Sequence, residues 1–595
     1  MTEHAPALSD VKRALLEHRL RGFGAPRPGP AAVPRLDRTD RTVFRPSAGQ
    51  RRMWFLAQLA GHGPVHHVPF TMSWPGTADA ELFSQCLTEI TRRHEVLRNR
   101  FEVRDGELVV LVEPTAPIEV PVVRLTAESE LPAAVLRSAT APFDLATAPL
   151  LRAVLFRAPG RDDVLAVTIH HIVADGWSMG VLADELTSLY RTLGTGLPSE
   201  LPELPVQYLD LAAWQESTAD GRLDADLAYW AGALADAPEP ATVPPDRPRP
   251  AARAHRGRSL RLDLAPTLLA DLRERAAAEQ ATPYMVVAAA VAVLLNRYAG
   301  ATDVLLGTVT AGRDGPGAQQ LIGFFVNTVV LRIHLADDPS ATEVIARARA
   351  ACLNALAHQR APFDRVVERL RPRRGPASTP FFHTMLVHQD SGAATGDGIL
   401  ARGIELGTAT FDLTITVDET ASGTALVLEY DTELYDRDTI ADAADHLEQI
   451  LRELATHPDG KVSAIPLLPP PRTAAPVPAP EPAPPPRPPG GELAERVAAI
   501  WAEVLGVPSA GVHDTFFDLG GNSLLLVEVR TRLHADLGLI PTLLDLYTYP
   551  TAAGLAEFLA GTGQHDRENG AHSAGRAALR QAAALRRAGR AEGGA

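Results

Sequence analysis

Residues 164–182 read VLAVTIHHIVADGWSMGVL. With Asp163 ahead of it, the segment DVLAVTIHH is rich in branched apolar residues and reads as a buried strand that ends where Asp175-Gly176 turns the chain. Successive strand side chains point to opposite faces, so His170 and His171 do not both reach one substrate atom: one acts and the other supports. Asp175 lies beyond the strand, where it meets a histidine or a distant arginine, and Gly176 permits a close backbone approach or a positive φ angle. Two core histidines satisfied by backbone carbonyls are the plainer alternative. A metal site is disfavoured, because no third His or Cys stands at useful spacing.

Around this stretch lie 595 residues, too many for one core and enough for three or four folding units. The composition, 46% hydrophobic and 22% charged, fits a globular protein, and no apolar run approaches the roughly 20 residues of a membrane span. The opening MTEHAPALSDVKR has no basic segment followed by an apolar one, and Cys86 and Cys352 are far apart. Neither a secretory signal nor a disulfide framework is indicated, and a cytoplasmic location is expected. A formal net charge of −15 argues against nucleic-acid partners, which require concentrated positive charge.

Proline marks the divisions. Residues 1–42 hold SDVKRALLEHRLRG, a short helix capped by Ser9 and stopped by Gly22, which either docks a partner protein or packs on its own domain. From Val43 to about Ile465 helical and strand patterns alternate as in one large catalytic unit. PEPATVPPDRPRPAARAHRGR, residues 238–258, connects two lobes within it, 43–237 and 238–468. Residues 469–491 are a proline-rich semi-rigid spacer, residues 492–560 a small helical module with nine acidic and three basic side chains, and residues 561–595 an Ala/Arg-rich tail.

Further stretches accompany the histidine pair: PSAGQRRMWFLAQL (46–59), whose Ser47 and Gln50 are spaced as a capping box, RRHEVLRNRF (92–101), QYLDLAAWQ (207–215), GTVTAGRD (307–314), IGFFVNTVVLR (322–332) and HQRAPFDRVVERL (358–370). In this order they resemble the condensation domains of nonribosomal peptide synthetases, over roughly residues 43–465. HHIVADGWSMGVL resembles the version that joins an L-configured donor to an L-configured acceptor. The chain departs from the family at Gly49, where alanine is usual, at Arg360, where an acidic residue is common, and in GPASTPFFHTML (375–386).

FFDLGGNSLLLVEV (516–529) follows a glycine turn with a serine and a helix, and by itself Ser523 is a helix cap. LGGNSL in a small acidic three-helix module nevertheless resembles a peptidyl carrier domain, in which this serine receives 4′-phosphopantetheine. A helix N-terminus suits the incoming phosphate.

The resemblance implies an α/β (α+β) fold of two chloramphenicol-acetyltransferase-like lobes forming a V-shaped condensation domain, plus an all-α carrier bundle. It implies an acyltransferase in which an acceptor amine attacks a carrier-bound acyl or peptidyl thioester. His171 is then the acting imidazole with His170 in support, Asp175 is held across the lobes by Arg313, Asn327 lines the site and Arg98 is architectural. The implied partners are an upstream donor carrier, a phosphopantetheinyl transferase and, as no adenylation domain separates the two modules, an adenylating enzyme that loads Ser523 in trans. Three alternatives stay open: an ester-forming variant, an epimerisation domain, which normally follows its carrier, and a non-catalytic recruitment platform.

Overall fold

The computed structural model describes residues 33–467 and 491–568, apart from 40–41, 61–62, 105–106, 218–220, 251–252, 314, 373–378, 391–393, 396–398, 421–422, 517–518, 520, 522–524, 540, 542–544, 547–548 and 550. The expected helix after Ser9, almost all of the proline spacer and residues 569–595 of the tail therefore lie outside the described residues, as does Ser523. The chain divides into two compact units, Met1–Val477 and Pro478–Ala595.

In the first unit, the chain runs through β1 (Val43–Phe44), α1 (Ala48–Ala60), β2 (His67–Trp74), α2 (Ala80–Arg93), β3 (Asn99–Arg104), β4 (Glu107–Val112), β5 (Val122–Arg124), α3 (Leu131–Thr140), β6 (Leu151–Arg157), β7 (Asp163–His170) and α4 (Gly176–Gly194). The run DVLAVTIH is β7. All eight of its residues are buried, and β2 and β6 pair with it on both edges, antiparallel, within a six-stranded sheet. The Ser47/Gln50 box forms at the start of α1: Gln50 N–H donates to Ser47 Oγ at 3.0 Å and Ser47 N–H to Gln50 Oε1 at 3.2 Å.

After α5 (Tyr208–Ser217) and α6 (Arg222–Ala233), the proline-rich connection leads into β8 (Gly257–Asp263), α7 (Pro266–Ala278), α8 (Pro283–Ala299), β9 (Asp303–Thr310), β10 (Asn327–His334), α9 (Ala341–Ala357), α10 (Phe363–Leu370) and β11 (Thr384–Asp390). Helix α8, PYMVVAAAVAVLLNRYA, is apolar nearly all round and buried almost throughout in the core of this half. Thr282 caps it, Pro283 opens it and Gly300 ends it in the left-handed region. No single described helix is long and apolar enough to cross a membrane.

The division at 237/238 does not partition the sheets. β12 (Ala394–Thr395) and β13 (Ile399–Gly403) pair with each other, and β13 pairs with β2 in the sheet of the N-terminal half. The chain then returns through β14 (Leu413–Thr420), β15 (Gly423–Asp431) and α11 (Arg437–Thr456) to the second six-stranded sheet, order β10-β9-β11-β14-β15-β8. A backbone ladder thus ties the two halves together, and ladder bonds are not readily given up.

The second unit is helical: α12 (Glu492–Leu505), α13 (Leu525–Leu537) and α14 (Ala552–Glu568). Trp501, fully buried, meets the Phe516 ring edge-on at 5.2 Å, with Val497, Leu526, Val529, Leu533 and Leu555 also buried. Gly506 ends α12 with a left-handed φ of 63°, as its place after the apolar face predicts.

Candidate active site

Strand β7 stops at His170, one residue short of the expected end. His171 opens a 3₁₀ turn, His171–Val173, so the two rings diverge because the chain turns and not because they alternate along a strand. His170 is buried, and its Nδ1 accepts the Ile172 N–H at 3.1 Å. The rings of His66, His67 and Phe143 lie around it, with centroids at 6.3, 6.0 and 6.1 Å. Burial, then the neighbouring imidazoles, push the His170 pKa down to about 2. Burial thus favours the neutral ring, whose Nδ1 lone pair is spent on the Ile172 N–H.

His171 differs. It is half-buried, and its Nδ1 stands 2.6 Å from the Ala174 carbonyl. A carbonyl only accepts, so Nδ1 carries the proton of the neutral ring and Nε2 carries the lone pair. Among the described residues nothing hydrogen-bonds to that Nε2. The Phe324 ring packs edge-to-face on the imidazole, centroids 5.0 Å apart and planes at 85°.

Asp175 is fully buried and serves two structures at once. As N-cap of α4 its Oδ1 accepts the Ser178 N–H at 2.9 Å. The same oxygen receives Arg313 Nη2 at 2.7 Å, and Oδ2 receives the Phe325 N–H at 3.1 Å. Arg313 also donates to the Ala318 and Leu321 carbonyls, both at 2.6 Å, and lies over the Phe325 ring. Burial lowers its pKa, with Asp175 opposing. The Ser178 hydroxyl accepts from Gly323 N–H at 3.0 Å and from Arg313 Nη2 at 2.9 Å, with Asp175 Oδ1 at 2.7 Å and the Gly323 carbonyl at 3.0 Å as acceptors for its own proton. The result is a latch: the turn after His171 is bolted to segment 313–325 of the C-terminal half.

Three expectations need correction or placement. Gly176 has neither a positive φ nor a close neighbour; it is the first residue of α4, exposed, with open space where a Cβ would stand. The Asp-Gly pair starts a helix, so no special backbone angle is needed. Asn327 binds backbone groups of its own half. Its amide donates to the Gln359 and Ala361 carbonyls at 2.8 and 2.7 Å and its oxygen accepts Phe363 N–H at 3.2 Å, which fastens the turn before α10. Arg98 reaches the Thr91 carbonyl at 2.8 Å and the Glu113 carbonyl, away from His171.

The sequence reading missed His66 and His67, which strand register brings beside His170; the second His-His pair at 66–67 was the available signal. It also missed Ser178, detectable as the N3 partner of an Asp cap, and Phe324. Gly49 explains the placement of Phe324, since a Cβ at 49 would lie 2.9 Å from its ring.

In the helical unit, Gly521 N–H donates to the Phe516 carbonyl at 2.9 Å, and a Cβ at 521 would fall 2.3 Å from the Phe516 ring. Glycine alone fits there. The described helix α13 runs from Leu525, two residues after Ser523 in the sequence, and a serine's primary hydroxyl is chemically suited to a phosphodiester.

The family described as Condensation domain matches residues 41–475, and that described as Phosphopantetheine attachment site matches residues 495–559. Phosphinothricin tripeptide synthetase PhsC of Streptomyces viridochromogenes is 37% identical over 474 residues, 78% of this chain and 44% of that protein. Chondramide synthase cmdD of Chondromyces crocatus is 36% identical over 450 residues, 74% of this chain and 11% of that one. The chain thus spans less than half the length of either relative. Among solved structures, the X-domain from teicoplanin biosynthesis superposes with a TM-score of 0.66 at 28% identity, covering 73% of this chain and 100% of that one. The first condensation domain of the calcium-dependent antibiotic synthetase gives 0.62 at 25%, covering 72% and 99%. With both modules matched in this order, the chain belongs to the condensation-domain family of nonribosomal peptide synthetases and carries a phosphopantetheine-attachment carrier domain behind its condensation domain.

Proposed function

We propose that the chain forms an amide bond between an acyl or peptidyl donor, presented as a thioester on an upstream carrier, and an aminoacyl acceptor held on its own carrier at Ser523, in the manner of L-to-L condensation. One observation carries the reading: His171 is half-buried, held as the Nδ1–H tautomer by Ala174, and its Nε2 lone pair has no hydrogen-bond partner among the described residues. An α-amino group, of reference pKa about 7.7–8.0, is partly neutral near pH 7, and a thioester is already activated. The protein therefore has two tasks, alignment and proton handling.

The amine nitrogen attacks the thioester carbon, the C–N bond forms and the C–S bond breaks. The proton lost by nitrogen passes to His171 Nε2 and on to the departing thiolate sulfur. Asp175, Arg313 and Ser178 take no part in this transfer; they keep the turn that carries His171 in place. 4′-Phosphopantetheine would be held by Ser523 and supply the thiol for the acceptor. Residues 476–494 separate the two family matches and leave no room for an adenylation domain there, which supports loading by a separate enzyme.

The test is intact-mass spectrometry. The full chain, treated with a phosphopantetheinyl transferase and aminoacyl-coenzyme A and then mixed with an acyl-loaded donor carrier, is expected to gain the donor mass on Ser523. Ser523→Ala should gain neither arm nor product. Transfer onto the donor carrier instead would reverse the assigned direction, and a correctly loaded pair that never reacts would favour a recruitment role.

A further inference from the structure

His94, in RRHEVLRNRF, is 1% exposed and touches none of the reacting groups. Its two ring nitrogens face opposite demands. Nδ1 lies 3.2 Å from the backbone nitrogen of Ile322, whose N–H can only donate. Nε2 lies 3.1 Å from Glu185 Oε2, which as a carboxylate oxygen only accepts. The lone pair is therefore on Nδ1 and the proton on Nε2. Arg93 closes the other side of the same carboxylate, Nη2 to Oε1 at 2.9 Å and Nε to Oε2 at 3.2 Å. Burial by itself would raise the Glu185 pKa, but the donors from His94 and Arg93 outweigh it and hold the carboxyl below its ordinary value. A buried, ionised Glu185 fixes one tautomer of His94.

Ile322 opens the segment Ile322–Phe325, which is anchored at every step. Gly323 N–H goes to Ser178, the Phe324 carbonyl accepts from Tyr208 Oη at 2.8 Å, and Phe325 N–H goes to Asp175. The ring this segment carries is Phe324, which touches Gly49 and lies edge-on to His171. His94 holds the first amide of that series.

We propose that His94 is a positioning residue for the transfer centre: through Nδ1 it fixes the Ile322 amide, and with it the Phe324 ring that sets where the His171 imidazole stands. The role rests on the reading of His171 as the reacting imidazole. A shift of about 1 Å at a reacting group costs up to about a hundredfold in rate, so the loss of such an anchor is measurable.

Isosteric amides separate the two nitrogens. His94→Asn keeps an acceptor near the place of Nδ1 and gives up the donor to Glu185; His94→Gln keeps a donor near the place of Nε2 and gives up the acceptor for Ile322. The full chain is labelled with ¹³Cε1-histidine, and the His171 signal is assigned by its absence in His171→Ala. His94→Asn is expected to leave that signal and slow hydrogen exchange at Ile322 in place. His94→Gln is expected to move the signal, speed the exchange and lower kcat about tenfold or more with KM unchanged. Equal behaviour of the two variants, or greater damage from Asn, overturns the proposal. Should neither variant fold, the ¹⁵N shifts of His94 in the unaltered chain decide it, since an Nδ1–H tautomer or an imidazolium contradicts the assignment. If His94→Gln moves the His171 signal while His171→Ala turns over at the normal rate, the positioning stands and the reading of His171 falls.

Discussion

Asp175 and Arg313 stand 138 residues apart and meet at 2.7 Å with side chains 0% and 4% exposed. A charge so enclosed has no water to turn to if its partner is removed. Asp175→Asn is expected to cost about 3–5 kcal/mol, the usual penalty for leaving one member of a buried pair alone, whereas the double change Asp175→Asn, Arg313→Met should cost less than the two single changes added together. Urea unfolding followed by tryptophan fluorescence checks this, and simple additivity would mean that the pair is not coupled. Of this arrangement, the His-His-x-x-x-Asp spacing was legible because its members are five residues apart on one turn. Arg313 was reached through family resemblance, not through any local signal. Gly176 was misread because Asp-Gly signals a turn as readily as a cap, and only Ser178, three residues after Asp175, discriminates.

At the level of elements, the pairing of β2 with β7 sets His67 opposite His170 and brings His66 alongside. Register is a long-range property, so no reading of either strand alone shows the cluster. Its consequence is a pH dependence. Burial pushes His66 down to about 3 and His170 to about 2, and in the C-terminal half it pushes His383 to about 4, from an ordinary 6.5. Such a group takes up a proton only on unfolding. Its contribution is complete above about pH 6.5 and is lost as the pH falls toward the folded value. Glu429, raised by burial from 4.5 to about 7, works in the opposite sense, as the folded form holds a proton that the unfolded form releases. Burial lowers His67 and His255 as well, so the histidines outnumber the glutamate and stability falls between pH 6 and pH 5. Urea midpoints at pH 7, 6 and 5 should fall in that order; a flat or rising series would show that the imidazoles are solvated.

For the molecule as a whole, alternating patterns, the proline spacer and the acidic stretch made an α/β unit followed by a small helical module legible from sequence, and its reading as a carrier came through the resemblance of LGGNSL. The crossing of β12 and β13 into the sheet of the N-terminal half was not, because GILARG is a short stretch without alternation and its partner Phe70–Ser73 lies some 330 residues away. That crossing and the Asp175 latch both hold together the halves between which His171 stands, so the site depends on the whole unit. Transfer chemistry at one imidazole is the claim on which the functional account rests. Single-turnover transfer, with donor and acceptor both loaded and the carrier mass checked beforehand, measures it most directly in the unaltered chain and in His171→Ala. The account predicts equal loading of Ser523 and a loss of transfer rate of about a hundredfold or more, the scale of a missing proton acceptor. Equal loading with an unchanged transfer rate would contradict it.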